Sequence, residues 1–538
     1  MSGSVGEALI AGLAERGVDT IFGIPGVHTL ELYRGLTTSG VRHVTPRHEQ
    51  GAGFMADGFA RVSGRPGVCL VISGPGVTNV LTPIGQARQD ARPLLVLSAS
   101  VSRAERGRGL GVIHDLPDQA ALTRAVTRLT VSVDEPAQLG PALAAAWAVL
   151  EGHDGPPGPV HLQVPVDVLR LAAAAAGRPV TRSTPIALPP AALIENAGAL
   201  LAAAERPAII LGGGARNAGP AALALARRLG APVGLTINGK GAVPASDPLC
   251  VPSRMMVAPF DRLFLEADVV LAVGTQLSDL DWWGLDRPFA PSGQIVRVDL
   301  DAAVLDANAP ASVGLVGDAE AVLDALLARL PESAAGPAAA LVAERVAAAA
   351  ATTSWPDAVA AHLPLVRALD AVLPADRIVA VDSTQPGYSA NHALDVELPG
   401  SWLMPIGYGC LGTALPMAIG ACLAAPDRPV LALAGDGGVL FTLPELAAAR
   451  DLGLPLPLVV WNNAGYGEIR DAMRESDVPI LGTDASAVDL PRVAEGFGCL
   501  GTRAESLEHL QELVASALAA PVPTLIEVTP RTRGVTDG

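Results

Sequence analysis

The sequence predicts an α/β protein built from three successive doubly wound domains with mainly parallel sheets. Three observations predict it. The chain has 538 residues, too many for one hydrophobic core. Compact runs rich in Val, Ile and Leu alternate with helix-like segments, the pattern of parallel sheets covered on both faces. The alternation breaks twice, at a Pro-rich polar stretch ending in STPIALPP and at an Ala-rich stretch from about Pro331 to Trp355.

In the first block, residues 1–175, VDTIFGI, PGVCLVIS and RPLLVLSAS read as strands and EQGAGFMADGFARVSG as a helix. In the second, 190–332, the strands are RPAIILGGG, APVGLTI, ADVVLAVG and QIVRVDLD. GGGARNAG reads as a turn, because no GxGxxG opens a helix with an acidic residue at the right distance. The third block, 356–538, carries DRIVAVDS, RPVLALAGDGG, PLPLVVWNN and PTLIEVTP.

Composition excludes several classes. Half the residues are hydrophobic but only 3% aromatic, so Ala, Leu and Val must fill the cores. Lys240 is the only lysine, and the net charge is -17. That balance offers no basic face to a nucleic acid. Cys69, Cys250, Cys410, Cys422 and Cys499 are far apart and include no CxxC pair. They suit neither a disulfide framework nor a zinc site, and a cytoplasmic setting is expected. The N-terminal segment lacks the layout of a signal peptide. The uncharged run Leu398–Pro426 has the length of a bilayer span. Pro399, Pro405 and Pro416, with Gly400, Gly407, Gly409, Gly412 and Gly420, break it into loop and short helix, so no membrane association is expected.

The strongest chemical signal is in the third block. Gly435-Asp436-Gly437-Gly438 ends the run PVLALA, Asn462-Asn463 ends PLVVW, and ELAAARDLG between them reads as a helix. A strand–helix–strand unit puts both motifs at the carboxyl ends of neighbouring parallel strands, where open α/β sheets bind ligands. Magnesium takes hard oxygen donors alongside substrate phosphates. Asp436 supplies the charge, Asn463 a neutral amide oxygen, and the glycines let a diphosphate approach the backbone. GDG alone would be a common turn; the two motifs together point to a metal-held diphosphate.

That pairing resembles the signature of thiamine-diphosphate enzymes, and the whole chain resembles the acetolactate synthase and pyruvate decarboxylase superfamily. The resemblance is borne by Gly23-Ile24-Pro25-Gly26, Arg47-His48-Glu49-Gln50, Gly74-Pro75-Gly76-Val77-Thr78-Asn79, Gly239-Lys240-Gly241 and the two motifs above. It implies the thiamine-diphosphate enzyme fold, with pyrimidine, middle and pyrophosphate domains in that order. It also implies thiamine diphosphate and Mg2+ as cofactors. Glu49 matches the glutamate that bonds the aminopyrimidine and promotes the tautomer through which the cofactor deprotonates itself, a task suited to a carboxyl group in an apolar pocket. Leu411 matches the apolar residue that bends the cofactor, and Gly409 would offer a carbonyl to its amino group. Thr384 and Gln385 match residues that hold the diphosphate. Gly465 would complete the metal set with its carbonyl, beside Asp436 and Asn463. Pro25, Gly26 and Asn79, with Gly435, Gly437 and Gly438, complete the expected cofactor contacts. The family's active site lies between subunits, so a homodimer or a homotetramer built as a dimer of dimers is expected.

The branch of the family is less sharply written. Pyruvate-type decarboxylases carry an Asp after the GxPG turn and a His-His pair in the first domain. This chain has Val27 after the turn and a single His114 in IHDLPDQ. His28, His114, Asp115 and Gln119 are candidates to rebuild the proton relay. GIPGVHTLELYRGL, HVTPRHEQGAGFMADGFARVSGRPGV and WNNAGYGEIRDAM resemble the 5-guanidino-2-oxopentanoate decarboxylases, which implies a 2-oxo acid substrate with a cationic tail. A guanidinium needs a carboxylate partner, for which Glu468, Asp115 and Asp118 are candidates. Two alternatives remain open here: an acetolactate synthase-like carboligase joining two 2-oxo acids, and a cofactor-binding protein without turnover, against which Glu49 argues.

Overall fold

The computed structural model describes residues 3–153, 155–173, 186–282, 289–331, 335–484 and 487–535. The first domain contains β1 (Thr20–Gly23), β2 (Arg42–Val44), β3 (Gly67–Val71), β4 (Leu94–Ser100), β5 (Leu129–Ser132) and β6 (Val160–Pro165). The middle domain contains β7 (Pro207–Leu211), β8 (Val233–Leu235), β9 (Cys250–Pro252), β10 (Val269–Val273), β11 (Gln294–Asp299) and β12 (Val313–Val316). The third contains β13 (Ile378–Val381), β14 (Trp402–Leu403), β15 (Val430–Gly435), β16 (Pro457–Trp461), β17 (Leu500–Arg503) and β18 (Thr524–Val528). Each set of six forms one sheet, and its paired strands run parallel. β3, β4, β10 and β16 are buried at every position, which is why they read as unbroken apolar runs.

The first and third sheets share one topology, β2-β1-β3-β4-β6-β5 and β14-β13-β15-β16-β18-β17. Strand order reverses between β1 and β3 in one and between β13 and β15 in the other. A crevice for ligand opens outside the strand ends at each reversal. The middle sheet differs, with the order β12-β11-β10-β7-β8-β9. Its GGGARNAG segment begins with a single helical turn, Gly213–Ala215.

The Ala-rich stretch read as a separator is instead part of the middle domain. It forms the helix Ala335–Ala351, and its Val342, Val346 and Ala349 join the middle-domain core. Those three recur at the spacing of one helix face. The uncharged run after Leu398 supplies strand β14 and the buried helix Ala414–Ala424. No described helix is long and apolar enough to cross a membrane.

The first and third domains pack as one body. The helix Glu49–Ser63 lies against Ala414–Ala424, and Phe54, Met55, Leu415 and Met417 belong to one buried cluster. The approach is backbone to backbone: a Cβ on Gly58 would stand 2.2 Å from the Met417 carbonyl oxygen, and one on Gly420 would stand 1.9 Å from that of Met55. All three domains meet at buried Asp90, which accepts from Arg61 at 2.7 Å, Asn238 at 3.1 Å and the Gly407 N–H at 3.0 Å. Lys240 reaches from the middle domain to the carbonyls of Ala390, Asn391 and Leu394 and lies 4.1 Å above the Trp402 ring centre. It thereby caps the C-terminal end of the helix Gln385–Ala393, where carbonyls lack intrahelical donors.

Candidate active site

β15 and β16 are neighbours, with Gly435 level with Trp461, so Asp436 and Asn463 leave adjacent strand ends and meet in the crevice beyond them. Asp436 is buried, and its Oδ2 accepts the Gly465 N–H at 2.7 Å. The Asn463 side-chain oxygen lies 3.3 Å from Asp436 Oδ1 and 2.8 Å from the Gly465 carbonyl oxygen. Three acceptors converge with no donor among them. The orientation of the amide follows from its neighbours. Gln385 Nε2 donates to Asp471 Oδ2 at 3.0 Å, and Gln385 Oε1 therefore accepts from Asn463 Nδ2, also at 3.0 Å. Turning either amide over would set two acceptors against each other elsewhere in this chain of contacts.

A hard divalent cation would resolve the conflict. Oxygens bound at right angles to one ion at 2.0–2.1 Å stand about 2.9 Å apart, close to the separations found. Among the described residues no three His, Cys, Asp or Glu side chains cluster to hold an ion; this set is one carboxylate, one amide and one carbonyl. Burial raises the Asp436 pKa, opposed by N–H donors from Gly465 and Gly437, and a bound cation would favour its ionised form.

Around these oxygens the strand ends form a cradle. Thr384 precedes the helix Gln385–Ala393 and is buried beside Gly435. Buried Asp382, at the end of β13, accepts the Gly412 N–H at 2.8 Å and the Ser383 N–H at 2.9 Å. Its pKa is pushed up to about 6 by desolvation. The carboxylate thus ties down the loop that carries Gly409 and Leu411. Gly409 is exposed at φ 65°, and Leu411 is half-buried.

The second set of residues surrounds the reversal between β1 and β3. Glu49 opens its helix half-buried, and its Oε2 accepts from Asn79 Nδ2 at 2.9 Å. The turn at Pro25 and Gly26 leads to His28, whose Nδ1 is 2.6 Å from Ser73 Oγ. The His28 and His114 rings meet edge to face with centroids 5.2 Å apart. Desolvation, then the neighbouring His114, lowers the His28 pKa. His114 Nδ1 and Asp115 Oδ1 are buried with no hydrogen-bond partner among the described residues.

Gln119 is placed close by but is fully engaged. Its Oε1 accepts the Gly74 N–H at 2.9 Å, and its Nε2 donates to Ser98, Ala99 and Gln163. It holds the Gly74 loop in place. Asp118 caps the helix Gln119–Arg124 and pairs with Arg124 at 3.2 Å, which leaves it poorly placed as a substrate partner. Glu468 opens the helix Gly467–Glu475. Its side chain reaches the surface, yet desolvation and the nearby Asp471 and Glu475 raise its pKa, while a hydrogen bond from Gln385 lowers it.

Three residues escaped the sequence reading. Asp471 lies three residues after Glu468, a spacing that shares a helix face, so its signal was present. Asp382 stands two residues before Thr384 at a strand end. Glu445 left no signal, since its partners are backbone groups nearly 400 positions earlier in the chain.

Two crevices of one topology, one lined by Glu49 and the other by the converging oxygens of Asp436, Asn463 and Gly465 beside Thr384, are the setting of a thiamine-diphosphate enzyme. The chain belongs to the thiamine pyrophosphate enzyme family. Residues 3–122 match the N-terminal thiamine pyrophosphate binding domain, 194–326 the central domain and 382–528 the C-terminal binding domain. A Pseudomonas aeruginosa protein named "Probable 2-ketoarginine decarboxylase" is 45% identical over 98% of this chain and 94% of its own length. The acetolactate synthase large subunit of Parasynechococcus marenigrum is 32% identical over 97% of this chain and 86% of its own length. The acetolactate synthase isozyme 1 large subunit of Escherichia coli is 30% identical over 97% and 93% respectively.

Proposed function

We propose that the protein decarboxylates 5-guanidino-2-oxopentanoate, using thiamine diphosphate held through magnesium. The observation that carries the substrate assignment is the acidic group beside the metal oxygens. Glu468 and Asp471 both contact Gln385, with Glu475 nearby, and Asp471 also pairs with Arg474 at 2.6 Å, which leaves Glu468 as the carboxylate available to a guanidinium. The similarity to the Pseudomonas protein supports the same substrate. Bound thiamine diphosphate supplies the carbon nucleophile and electron sink for cleavage beside a keto group. Asp436, Asn463 and Gly465 would hold the magnesium, Thr384 and Gln385 the diphosphate. Glu49 would bond the aminopyrimidine and carry its proton, while Leu411 and Gly409 shape the cofactor's seat. Pro25, Gly26 and Asn79 would border the Glu49 side, and His28 and His114 would move protons at the reacting carbon. The substrate's C1–C2 bond breaks, carbon dioxide leaves and a proton takes its place on C2, giving the guanidino aldehyde.

Glu49 and Asp436 line different crevices, and among the described residues no hydrogen bond joins their two sets within the chain. A homodimer at minimum would bring one subunit's Glu49 to another's Asp436. Exposed Val27, Leu30, Phe441 and Ile469 beside these residues give such an interface apolar surface. The five cysteines are free, which supports a cytoplasmic setting.

The test compares substrates. Glu468→Gln should lower kcat/KM for the guanidino acid about thirty-fold, the scale of one broken desolvated charge pair, and hardly affect pyruvate. Equal losses on both would move Glu468 from the tail to the chemistry. A wild-type preference for pyruvate with acetolactate as product would replace decarboxylation by the carboligase reaction of the more distant relatives.

A further inference from the structure

Glu445 opens the helix Glu445–Asp451, on the crossover between the strands that end in Asp436 and Asn463. A carboxylate there has no role in the cofactor set, yet it is 1% exposed. It leaves its own domain to meet the chain just before Glu49. Its Oε1 and Oε2 accept the Arg47 N–H at 3.1 and 3.0 Å, and Oε1 also accepts the His48 N–H at 3.0 Å. The contact is built for: a Cβ on Gly51 would stand 2.1 Å from Glu445 Oε1. Both amides lie at the start of the helix Glu49–Ser63, where backbone donors have no intrahelical acceptor and the helix dipole favours negative charge.

We infer that Glu445 is a positioning residue for Glu49, its carboxylate fixing the Arg47-His48 backbone and so the direction in which the Glu49 side chain leaves the helix. The inference rests on the reading of Glu49 given above. Glutamine cannot replace the carboxylate, because its amide would turn an N–H group toward one of the backbone donors. The ionised state matters for the same reason. Desolvation pushes the Glu445 pKa up to about 7, opposed by the Arg47 and His48 N–H groups and by the Arg47 charge. The other charged or titratable groups facing it are the His48 ring, which accepts the Gln50 N–H, and Asp451 on its own helix, which pairs with the Arg47 guanidinium. On the acid side Glu445 takes up a proton, and the two backbone donors lose the carboxylate's negative charge and the Arg47 N–H its second acceptor oxygen.

The experiment uses the full-length holoenzyme with thiamine diphosphate and Mg2+ added, and the same chain without them. Glu445→Gln should lower kcat by about 10–100-fold, the loss that follows a misplacement of about 1 Å, with KM and cofactor affinity changed less than about threefold. Deuterium exchange at the thiazolium carbon of bound thiamine diphosphate, which needs no substrate, should slow in parallel. The wild-type kcat should fall below about pH 7 with a limb that the variant lacks. Without cofactor, amide exchange in the peptide spanning Arg47 and His48 should speed up. Gly51→Ala, which displaces the carboxylate without removing it, should reproduce these effects and serves if Glu445→Gln does not fold. Amide and thiazolium exchange at wild-type rates in a folded Glu445→Gln or Gly51→Ala protein overturns the inference. Glu49→Gln separates the two readings: if it leaves thiazolium exchange unchanged, the role of Glu49 falls first.

Discussion

The side-chain oxygen of Asn463 stands 3.3 Å from Oδ1 of Asp436, two acceptors turned toward each other at the ends of adjacent strands. Gln385 and Asp471 hold that orientation from behind. Such a juxtaposition is unfavourable without a cation and would become a ligand set with one. Wild-type protein should retain thiamine diphosphate through gel filtration only when a divalent ion is present. Asp436→Ala should stay folded and lose that retention. Full activity after exhaustive chelation and dialysis would remove the metal from the site.

Glu49 lies within hydrogen-bond reach of Asn79 at 2.9 Å. Replacing it by Gln preserves shape and removes the acid. The expected result is normal cofactor binding with a rate loss of at least about 100-fold, the usual scale of general acid–base catalysis. Isothermal titration and steady-state rates check the two halves separately.

If the active site is shared between subunits, two inactive variants should complement each other. Mixing Glu49→Gln with Asp436→Ala protein under conditions that exchange subunits should form hybrid dimers, each with one intact site, and recover part of the activity. A wild-type protein that is active as a monomer by light scattering would contradict this arrangement.

His161 is buried between Ser98 Oγ and Thr123 Oγ1, each at 2.8 Å, and desolvation pushes its pKa down to about 3. Folded His161 therefore stays neutral where the unfolded chain takes up a proton, below about 6.5. Its contribution is fully present above that value and is lost as pH falls toward 3, at about 1.4 kcal/mol per unit. Buried Asp382 and Glu445, with raised pKa values, act in the opposite sense at higher pH. The comparison is therefore between wild type and His161→Gln. The stability gap between them in denaturant titrations should narrow by about 2 kcal/mol from pH 7 to pH 5. A constant gap would mean that His161 titrates normally.

Much of this site is written locally. Gly435-Asp436-Gly437-Gly438 and Asn462-Asn463 end apolar strand runs, and strand ends at a sheet reversal are where ligands bind. Glu49 begins a helix whose glycines and alanines announce close packing. The Ala-rich stretch after Pro331 misled because alanine suits both spacers and helices; only its contact with the middle core shows which it is.

The sequence by itself determined the three parallel-sheet domains and the strand ends at which Asp436 and Asn463 lie, because periodicity and strand-end chemistry act over short stretches of chain. Only the tertiary structure decided which groups meet. It set His28 against His114, engaged Gln119 behind the Gly74 loop, joined Gln385 to both Asp471 and Asn463, and brought Glu445 to the amides before Glu49. Those contacts depend on how separate elements pack, and an acceptor whose donors are backbone N–H groups leaves no side-chain pattern to read.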